Sequence, residues 1–528
     1  MRAVEERLSR AWALAIAHPR IFALACGFLA ATGFPPLALW PLALLGIAGF
    51  AGLIVAAGDW KHAARLGWLF GVAHFTFANN WIAAAFTHQS EMPAFLGWIA
   101  VPLLALYLAV YPAIAAGLAR AVAGPRPLPL AFAFGGAWAF AEWLRSWVFT
   151  GYAWDPLGLM LLGSWDRQGL AALLPWLGTY ALSGLAALIG AGLAVLLGRK
   201  AWLKAAAVVA LLAIAMVLPA PDTREGTLSV TLIQPGFQQR ELDDPAEYEN
   251  QFLALSALTA PRRDEGSRLV LWPESGLPDY LRPGYPRRYY LSTTAGGDPE
   301  FARDRIARTI GKGSLLLTGA VDLKVENGRA EGAYNAVTAL DDSGNFAGSY
   351  YKAHLVPYGE YLALRWLLEP LGATRLVAGT IDFIPGPGPR TVDLGQYGRA
   401  GMQICYEIVF AGQVVDRSDR PDYIFNPSND GWFGAFGPPQ HLAQARMRAI
   451  EEGLPVLRAT VSGISAVIDA RGVVREHLPT SFTGGRIDAK VPPALAPTPF
   501  ALFGNPLSLG WAALMIALSL LVRRRIGG

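Results

Sequence analysis

The strongest constraint on this chain is the uneven placement of its charges. Residues 1–220 and a last run ending before Arg523 are almost continuously apolar, while about 225–495 has the mixed composition of a water-soluble domain. Charged residues make up 16% of the chain and hydrophobic ones 53%, against about 25% charged residues in an ordinary soluble protein. A helix that crosses a bilayer needs about 20 mostly apolar residues. Runs of that kind stand at about 21–35, 37–57, 66–86, 94–119, 128–144, 170–198, 201–219 and 502–522, the first able to extend back through Trp12–Ala17 across a kink at Pro19. The expected plan is a membrane domain over 1–220, a soluble domain over 221–500, and a final span with a basic tail over 501–528.

Lys and Arg collect in cytoplasmic loops. Arg2, Arg7, Arg10 and Arg20 precede or open the first run, and Lys61 and Arg65 follow the second. Arg120 and Arg126 follow the fourth, Arg199, Lys200 and Lys204 the sixth, and Arg523–Arg525 the last. The loops at 35–36 and 87–93 carry neither residue. Eight helices with both termini in the cytoplasm satisfy this pattern, which predicts a multi-pass protein of the bacterial inner membrane with its soluble domain on the periplasmic side. The net charge of +4 is too small to point to nucleic acid. Leu24-Ala25-Cys26-Gly27 faintly resembles a lipoprotein-processing site, but the apolar run from Ile21 is too short for a signal peptide's core of about 7–15 residues. Cys26 is therefore expected to be a packed residue within the membrane.

In the soluble stretch, strand-like runs stand at Leu228–Gln234, Arg268–Trp272, Ser314–Ala320, Ala333–Leu340, Ala400–Cys405, Tyr423–Asn426 and Val456–Ile468. Helix-like segments intervene at Glu247–Leu258, Asp298–Ile310 and His441–Glu452. That alternation predicts an α/β layered fold, with Asn327-Gly328 as a hairpin turn. Chemistry in such folds sits at the carboxyl ends of strands, where Glu274 and Cys405 both fall. Cys405 is one of only 2 cysteines, and Cys26 is expected in the bilayer, so Cys405 is a free thiol. Taken alone, a glutamate after a proline or a small buried cysteine needs no function. A glutamate, a lysine (Lys352) and a cysteine in that order supply a base, a cation and a nucleophile. A thiol reacts as its thiolate, so Glu274 would take its proton and Lys352 would stabilise the thiolate and then an oxyanion. His354 and His441 lack the spacing of a metal site, and no phosphate-cradling glycine motif is present. Neither metal nor cofactor is expected.

Residues 225–495 resemble the carbon–nitrogen hydrolase (nitrilase) superfamily through Trp272-Pro273-Glu274, the run Lys352–Tyr361, Gly401–Glu407, Ser428–Gly434, Gln440-His441 and Ala445–Ala449. With seven spans before it and one after, the whole chain looks like the apolipoprotein N-acyltransferase family. The resemblance implies an αββα sandwich and a Glu274–Lys352–Cys405 triad. It implies a supporting role for Glu360 in orienting Lys352, for the backbone N–H of Tyr406 as an oxyanion donor, and for Glu407 as a required acid, a structural ion pair being the other reading of Glu407. Trp432 and Phe433 could wall an acyl pocket or simply fill core. Trp154, in the loop 150–158, could line an entrance or anchor at the interface. The stretch Gln234-Pro235-Gly236-Phe237-Gln238-Gln239 departs from the family's usual Gln-Gly-Asn/Asp-Ile-Pro-Gln run and has no Trp nearby, which leaves its role open.

A soluble amidase would not need eight helices, whereas a lipid acyl donor must present its ester to Cys405 with its chain still in hydrocarbon. The resemblance therefore implies acyl transfer from a phospholipid to the N-terminal amine of diacylglyceryl-modified apolipoproteins through a Cys405 thioester, by a monomer. A membrane-bound amidase using water, and a lipoprotein-binding module with no chemistry, are the competing readings. The charge pattern makes its own test: reporter fusions after Lys61, Arg126 and Arg199 should read cytoplasmic, and fusions within 225–240 external. A cytoplasmic signal from the latter would remove both the topology and the substrate.

Overall fold

The computed structural model describes residues 2–88, 93–263, 265–371 and 381–527. The chain divides into a helical unit (up to Ala83, Phe95–Pro219 and from Thr498) and an α/β unit (Ala84–Ala94 and Ala220–Pro497). The loop expected over 87–93 lies largely outside the described residues.

In the helical unit, each expected span contains helix: Pro19–Ala31, Trp40–Ala56, Trp60–Ala78, Leu96–Leu108 with Val110–Ala123, Pro127–Arg145, Leu174–Gly198, Trp202–Val217 and Asn505–Gly527. Among the described residues, three helices are long and apolar enough to cross a membrane: Leu96–Ala123, Leu170–Gly198 and Asn505–Arg525. Arg10–Ala17 and Pro19–Ala31, bent by 110°, make a fourth if counted together. The remaining helices fall short of that measure for identifiable reasons. Trp40–Ala56 and Trp202–Val217 are apolar but have only 17 and 16 residues. Trp60–Ala78 is diluted by Lys61, His62, Arg65 and His74. Pro127–Arg145 carries a buried ion pair, Glu142–Arg145 at 3.7 Å. Small residues let these helices approach closely, as in membrane bundles generally: a Cβ on Gly135 would lie 2.8 Å from the Gly184 carbonyl oxygen. Cys26 is buried in this packing.

The α/β unit is built from two six-stranded sheets. Its strands are β1 (Ser229–Gln234), β2 (Leu269–Leu271), β3 (Leu315–Glu326), β4 (Arg329–Asp341), β5 (Phe346–Tyr351), β6 (Thr391–Asp393), β7 (Arg399–Met402), β8 (Tyr423–Ser428), β9 (Val456–Thr460), β10 (Ser465–Ile468), β11 (Val474–Leu478) and β12 (Gly485–Lys490). The first sheet runs β12-β1-β2-β3-β4-β5 and the second β11-β10-β9-β8-β7-β6. β1, β2 and β3 are mutually parallel, as are β7, β8 and β9. The turn between β3 and β4 is Asn327-Gly328 with both φ angles positive, +50° and +76°, the mirror-image turn that suits the twist of a hairpin. The run expected as one strand over Val456–Ile468 is two antiparallel strands, β9 and β10.

Period-two alternation decides the layering. Leu269 and Leu271 face the second sheet in a shared core with Leu317, Val337, Met402, Phe425 and Leu457. Val270, between them, faces outward with Leu316 and Leu340, and is covered by Phe252 and Leu255 of helix Tyr248–Thr259 and Ile306 and Ile310 of helix Pro299–Ile310. In the second sheet, Leu457 and Ala459 point into the shared core, while Arg458 between them bonds His441 of helix Gly437–Glu452. The layers are helix, sheet, sheet, helix.

One close approach couples this packing to the strand end after β2. A Cβ on Gly319 of β3 would lie 2.6 Å from the Pro273 carbonyl oxygen and 2.7 Å from the Glu274 Cα. Gly319→Ala should therefore cost about 1–3 kcal/mol, as overpacking does, and displace Glu274. Thermal unfolding of the purified chain checks this; unchanged stability would show that the segment yields freely.

Candidate active site

Three strand ends carry the three residues singled out in the sequence. Glu274 follows β2, Lys352 follows β5 directly, and Cys405 follows β7 at the start of a short 3-10 turn, Cys405–Val409. Non-glycine residues in the left-handed region stand beside Glu274 (Ser275, φ +54°), at Cys405 (φ +49°) and in the loop between Lys352 and Glu360 (Tyr358, φ +62°). Such conformations cost on the order of 1–3 kcal/mol each and persist only where surrounding contacts impose them.

The contacts are those of a buried charge cluster. Lys352 is 1% exposed, and its Nζ lies 3.2 Å from Glu274 Oε1 and 3.0 Å from Glu360 Oε1. Asn335 of β4 donates through one Nδ2 to both of those carboxylate oxygens, at 2.8 and 2.7 Å. The other oxygens are held by main chain: Asn429 N–H donates to Glu274 Oε2 at 3.0 Å and Val356 N–H to Glu360 Oε2 at 2.8 Å. Burial alone would push the Lys352 ammonium down, but the facing Glu274 and Glu360 outweigh it and hold the group well above the ordinary lysine range. Lys352 is therefore a fixed cation.

Cys405 is buried beside this cluster and in its electrostatic reach. Burial first, and the Glu274 charge second, hold its thiol well above the ordinary range, while Lys352 and the Asn429 N–H pull the other way. The resting group is a neutral thiol. A carboxylate and a cation within reach of a neutral thiol can move its proton and meet the negative charge left on an attacked carbonyl.

Glu407 makes no ion pair with a described residue. Its Oε1 accepts from Tyr350 Oη (2.8 Å), Ala353 N–H (2.7 Å) and His354 N–H (3.1 Å), and its Oε2 from Ile404 N–H (2.8 Å). Burial pushes its carboxyl up to about 7 against the pull of these donors. One side chain of the turn after β7 that carries Cys405 thus ties down the chain on both sides of Lys352 in the first sheet. Tyr406 is buried with its ring edge-on to Phe410, centroids 5.0 Å apart.

The aromatic candidates divide. Trp432 and Phe433 are half-buried, with the His88 ring 6.0 Å from Trp432 and the His441 ring 5.8 Å from Phe433. Trp154 is fully buried in the helical unit, 4.7 Å from the ring of Trp81, and its carbonyl accepts from Arg145 at 2.7 Å. It is a packed residue there rather than the lining of an open entrance.

Sequence reasoning passed over four parts of the site. Asn335 was legible only as an amide inside an otherwise apolar strand run. Asn429 and Asp430 stand in the run Ser428–Gly434, but nothing in the sequence indicates that Asn429 serves through its main chain. Gln239, in the divergent stretch, accepts from Asn429 Nδ2 at 2.8 Å. Beneath Cys405 lies a buried set: His441 Nε2 is 3.1 Å from the Cys405 carbonyl oxygen, His441 Nδ1 is 3.0 Å from Asp430 Oδ1, and Arg458 Nη2 donates to both Asp430 oxygens at 2.8 and 2.7 Å.

Two sheets back to back, with a Glu–Lys–Cys set at their strand ends, define a domain of the carbon–nitrogen hydrolase class, and the model of that family matches residues 229–496. The model of the apolipoprotein N-acyltransferase N-terminal domain matches residues 26–192. Apolipoprotein N-acyltransferases of Rhodopseudomonas palustris and Bradyrhizobium diazoefficiens are 32% and 34% identical to the chain, each over 96% of it and over 96% and 95% of their own lengths. That of Caulobacter vibrioides is 33% identical over 96% of the chain and 94% of its own length. Among solved structures, an amidase from Nesterenkonia sp. AN1 aligns with 55% of the chain and 98% of its own, at 17% identity and a TM-score of 0.34. A CN-hydrolase superfamily protein from Xanthomonas campestris aligns with 50% of the chain and 90% of its own, at 20% identity and a TM-score of 0.34. The chain belongs to the apolipoprotein N-acyltransferase family, acyltransferases of the nitrilase superfamily.

The bonding of Glu407 makes a sharp expectation. In Glu407→Gln, an amide NH₂ must face either the Ile404 N–H or the three donors at Oε1. A buried donor left facing a donor costs about 1–3 kcal/mol. Thermal unfolding should register that loss and acyl transfer should slow with it; a variant as stable and as fast as the parent would show that the tether is dispensable.

Proposed function

We infer that this chain transfers an acyl group from a phospholipid to the N-terminal amine of diacylglyceryl-modified apolipoproteins, through a thioester on Cys405. Near-full-length relatives named for that activity support the reaction. The observation that carries the residue roles is the fixed Lys352 cation between Glu274 and Glu360, beside a neutral buried thiol.

The steps follow from that arrangement. Glu274 takes the thiol proton as Cys405 Sγ attacks the acyl ester carbonyl. The oxyanion is met by the Lys352 ammonium and by the Tyr406 backbone N–H. On collapse, the C–O bond to the glycerol breaks, and the leaving alkoxide takes the proton from Glu274. The apolipoprotein amine then attacks the thioester, Glu274 receives the amine proton, and the departing thiolate regains it. Glu360 and Asn335 hold Lys352 in place, and Glu407 holds the turn that carries Cys405. Trp432 and Phe433 would wall the acyl chain; Trp154, packed and covered, has no assigned contact with substrate. With an amide in place of the ester and water in place of the amine, the same site would be an amidase, but the match of the N-terminal helical region to an acyltransferase domain favours transfer.

The finer topology belongs to the same reading: eight spans, a monomer, and the α/β unit on the periplasmic side of the inner membrane. Basic groups of separate expected cytoplasmic loops meet in the helical unit in a way that supports it. Arg120 donates to the Ala57 carbonyl at 3.0 and 2.7 Å, Arg126 to that of Arg523 at 2.6 Å, and Arg523 to that of Val122 at 2.5 Å.

Intact-mass analysis of the chain incubated with phospholipid should show one acyl adduct, absent in Cys405→Ala and severely slowed in Glu274→Gln. Lys352→Arg should lose about 100-fold or more in acylation rate, the scale of one oxyanion donor, because a planar guanidinium does not fit a cage sized for an ammonium. Near-normal turnover in Lys352→Arg would remove the oxyanion role.

A further inference from the structure

The proposed triad does not account for the buried Asp430–His441–Arg458 set beneath it. His441 and Arg458 are fully buried, and Asp430 is 2% exposed. His441 meets the Cys405 main chain, with Nε2 3.1 Å from the Cys405 carbonyl oxygen, and the Asp430 charge acts on the same residue's thiol. A carbonyl only accepts, so Nε2 carries a proton in this bond. The imidazole is held from its other side by Asp430 Oδ1 and Arg458 Nη2, each 3.0 Å from Nδ1. Arg458 is itself anchored on β8, donating to Ser428 Oγ at 2.9 Å and to Asn426 Oδ1. The ring therefore has one orientation, set by the second sheet.

What that orientation controls follows from peptide geometry. The Cys405 carbonyl and the Tyr406 N–H belong to one planar trans peptide, in which they point in opposite directions. A donor that fixes the carbonyl fixes the N–H. It also polarises the peptide and makes the N–H a stronger donor, since hydrogen bonds in series reinforce one another. Without such a bond, the left-handed conformation of Cys405 (φ +49°) has less to impose it. The neighbouring residue links the same device to the base, because Asn429 N–H donates to Glu274 Oε2 at 3.0 Å and Asn429 directly precedes Asp430.

We propose that His441, oriented by Asp430 and Arg458, is a positioning residue that aims the Tyr406 N–H at the oxyanion formed on the acyl carbonyl. This rests on the assignment of Cys405 as nucleophile. It separates two reactions of the same thiol. Acylation by an ester passes through an oxyanion and needs the aimed N–H. Alkylation by iodoacetamide forms an S–C bond and expels iodide at a saturated carbon, with no oxyanion.

The test measures both rates on the full-length chain in detergent micelles containing phospholipid. His441→Leu removes the closer of two donors to the Cys405 carbonyl, leaving Asn426 Nδ2 at 3.4 Å. His441→Gln retains an N–H at nearly the position of Nε2. His441→Leu should acylate about 100-fold more slowly, the loss seen when an oxyanion donor is removed. Its Cys405 alkylation should stay within about threefold, and His441→Gln should recover acylation to within about tenfold of the parent. Wild-type acylation in His441→Leu overturns the proposal. So does a parallel fall in both rates that His441→Gln fails to rescue, since that is the mark of a packing role alone. Cys405→Ala, run alongside, keeps the two assignments apart: acyl transfer without the thiol overturns the nucleophile, whereas an inactive Cys405→Ala beside a fully active His441→Leu overturns only the role of His441.

Discussion

The buried ammonium of Lys352 is the charge around which the α/β unit is arranged. Taking an ion out of water costs several kcal/mol, and removing a partner from a buried pair costs about 3–5 kcal/mol. Lys352 is covered because Glu274 and Glu360 approach it from two segments and because Asn335 bridges both carboxylates. The cage joins the end of β2, the end of β5, the loop that follows it, and the middle of β4. Those elements sit in one sheet, where strand pairing fixes their relative heights: β2 on β3, β3 on β4, and β4 on β5. A slip of one residue in any of these pairings would turn a cage residue to the opposite face.

The thiol comes from the other sheet, and two kinds of bond bring it to the cage. Glu407 reaches from the turn that carries Cys405 to the main chain around Lys352, and Asn429 reaches from the end of β8 to Glu274. Both use main-chain N–H groups, whose positions are set by the fold rather than by a rotamer. The left-handed residues at Ser275, Tyr358 and Cys405 are the local cost of this arrangement, offset by the shared apolar core between the sheets.

Much of this was legible in the residues. The run Arg268–Trp272 announced β2, and Asn327-Gly328 announced the turn between β3 and β4. The order Glu274, Lys352, Cys405 pointed to a candidate site whose members the fold brings together, and the company of Lys352–Tyr361 and Ser428–Gly434 to the family. Four strands were not legible. β6 has three residues, β5 and β12 are interrupted by Gly and polar residues, and β11 is largely exposed at a sheet edge, so none carries a strong apolar pattern. The contacts of Asn335, Gln239, Asp430, His441 and Arg458 were equally hidden. Each is a polar residue whose partner lies far along the chain or on a main-chain atom, and composition and periodicity are blind to both. Hydropathy counted eight runs, but it could not tell that the helix Pro127–Arg145 would bury an ion pair or that Trp154 would be packed rather than open.

By itself the sequence determined where hydrocarbon-compatible helices stand, that an α/β domain lies between them, and which residue types could carry the chemistry. Those are consequences of local composition and of period, which a chain carries whatever its partners. The tertiary structure alone decided that Lys352 is a caged cation and Cys405 a neutral thiol, that Glu407 is a tether rather than one half of an ion pair, and that His441 meets the Cys405–Tyr406 peptide. Burial and hydrogen-bond partners set a group's charge state and aim, and neither exists until segments far apart in sequence are packed together.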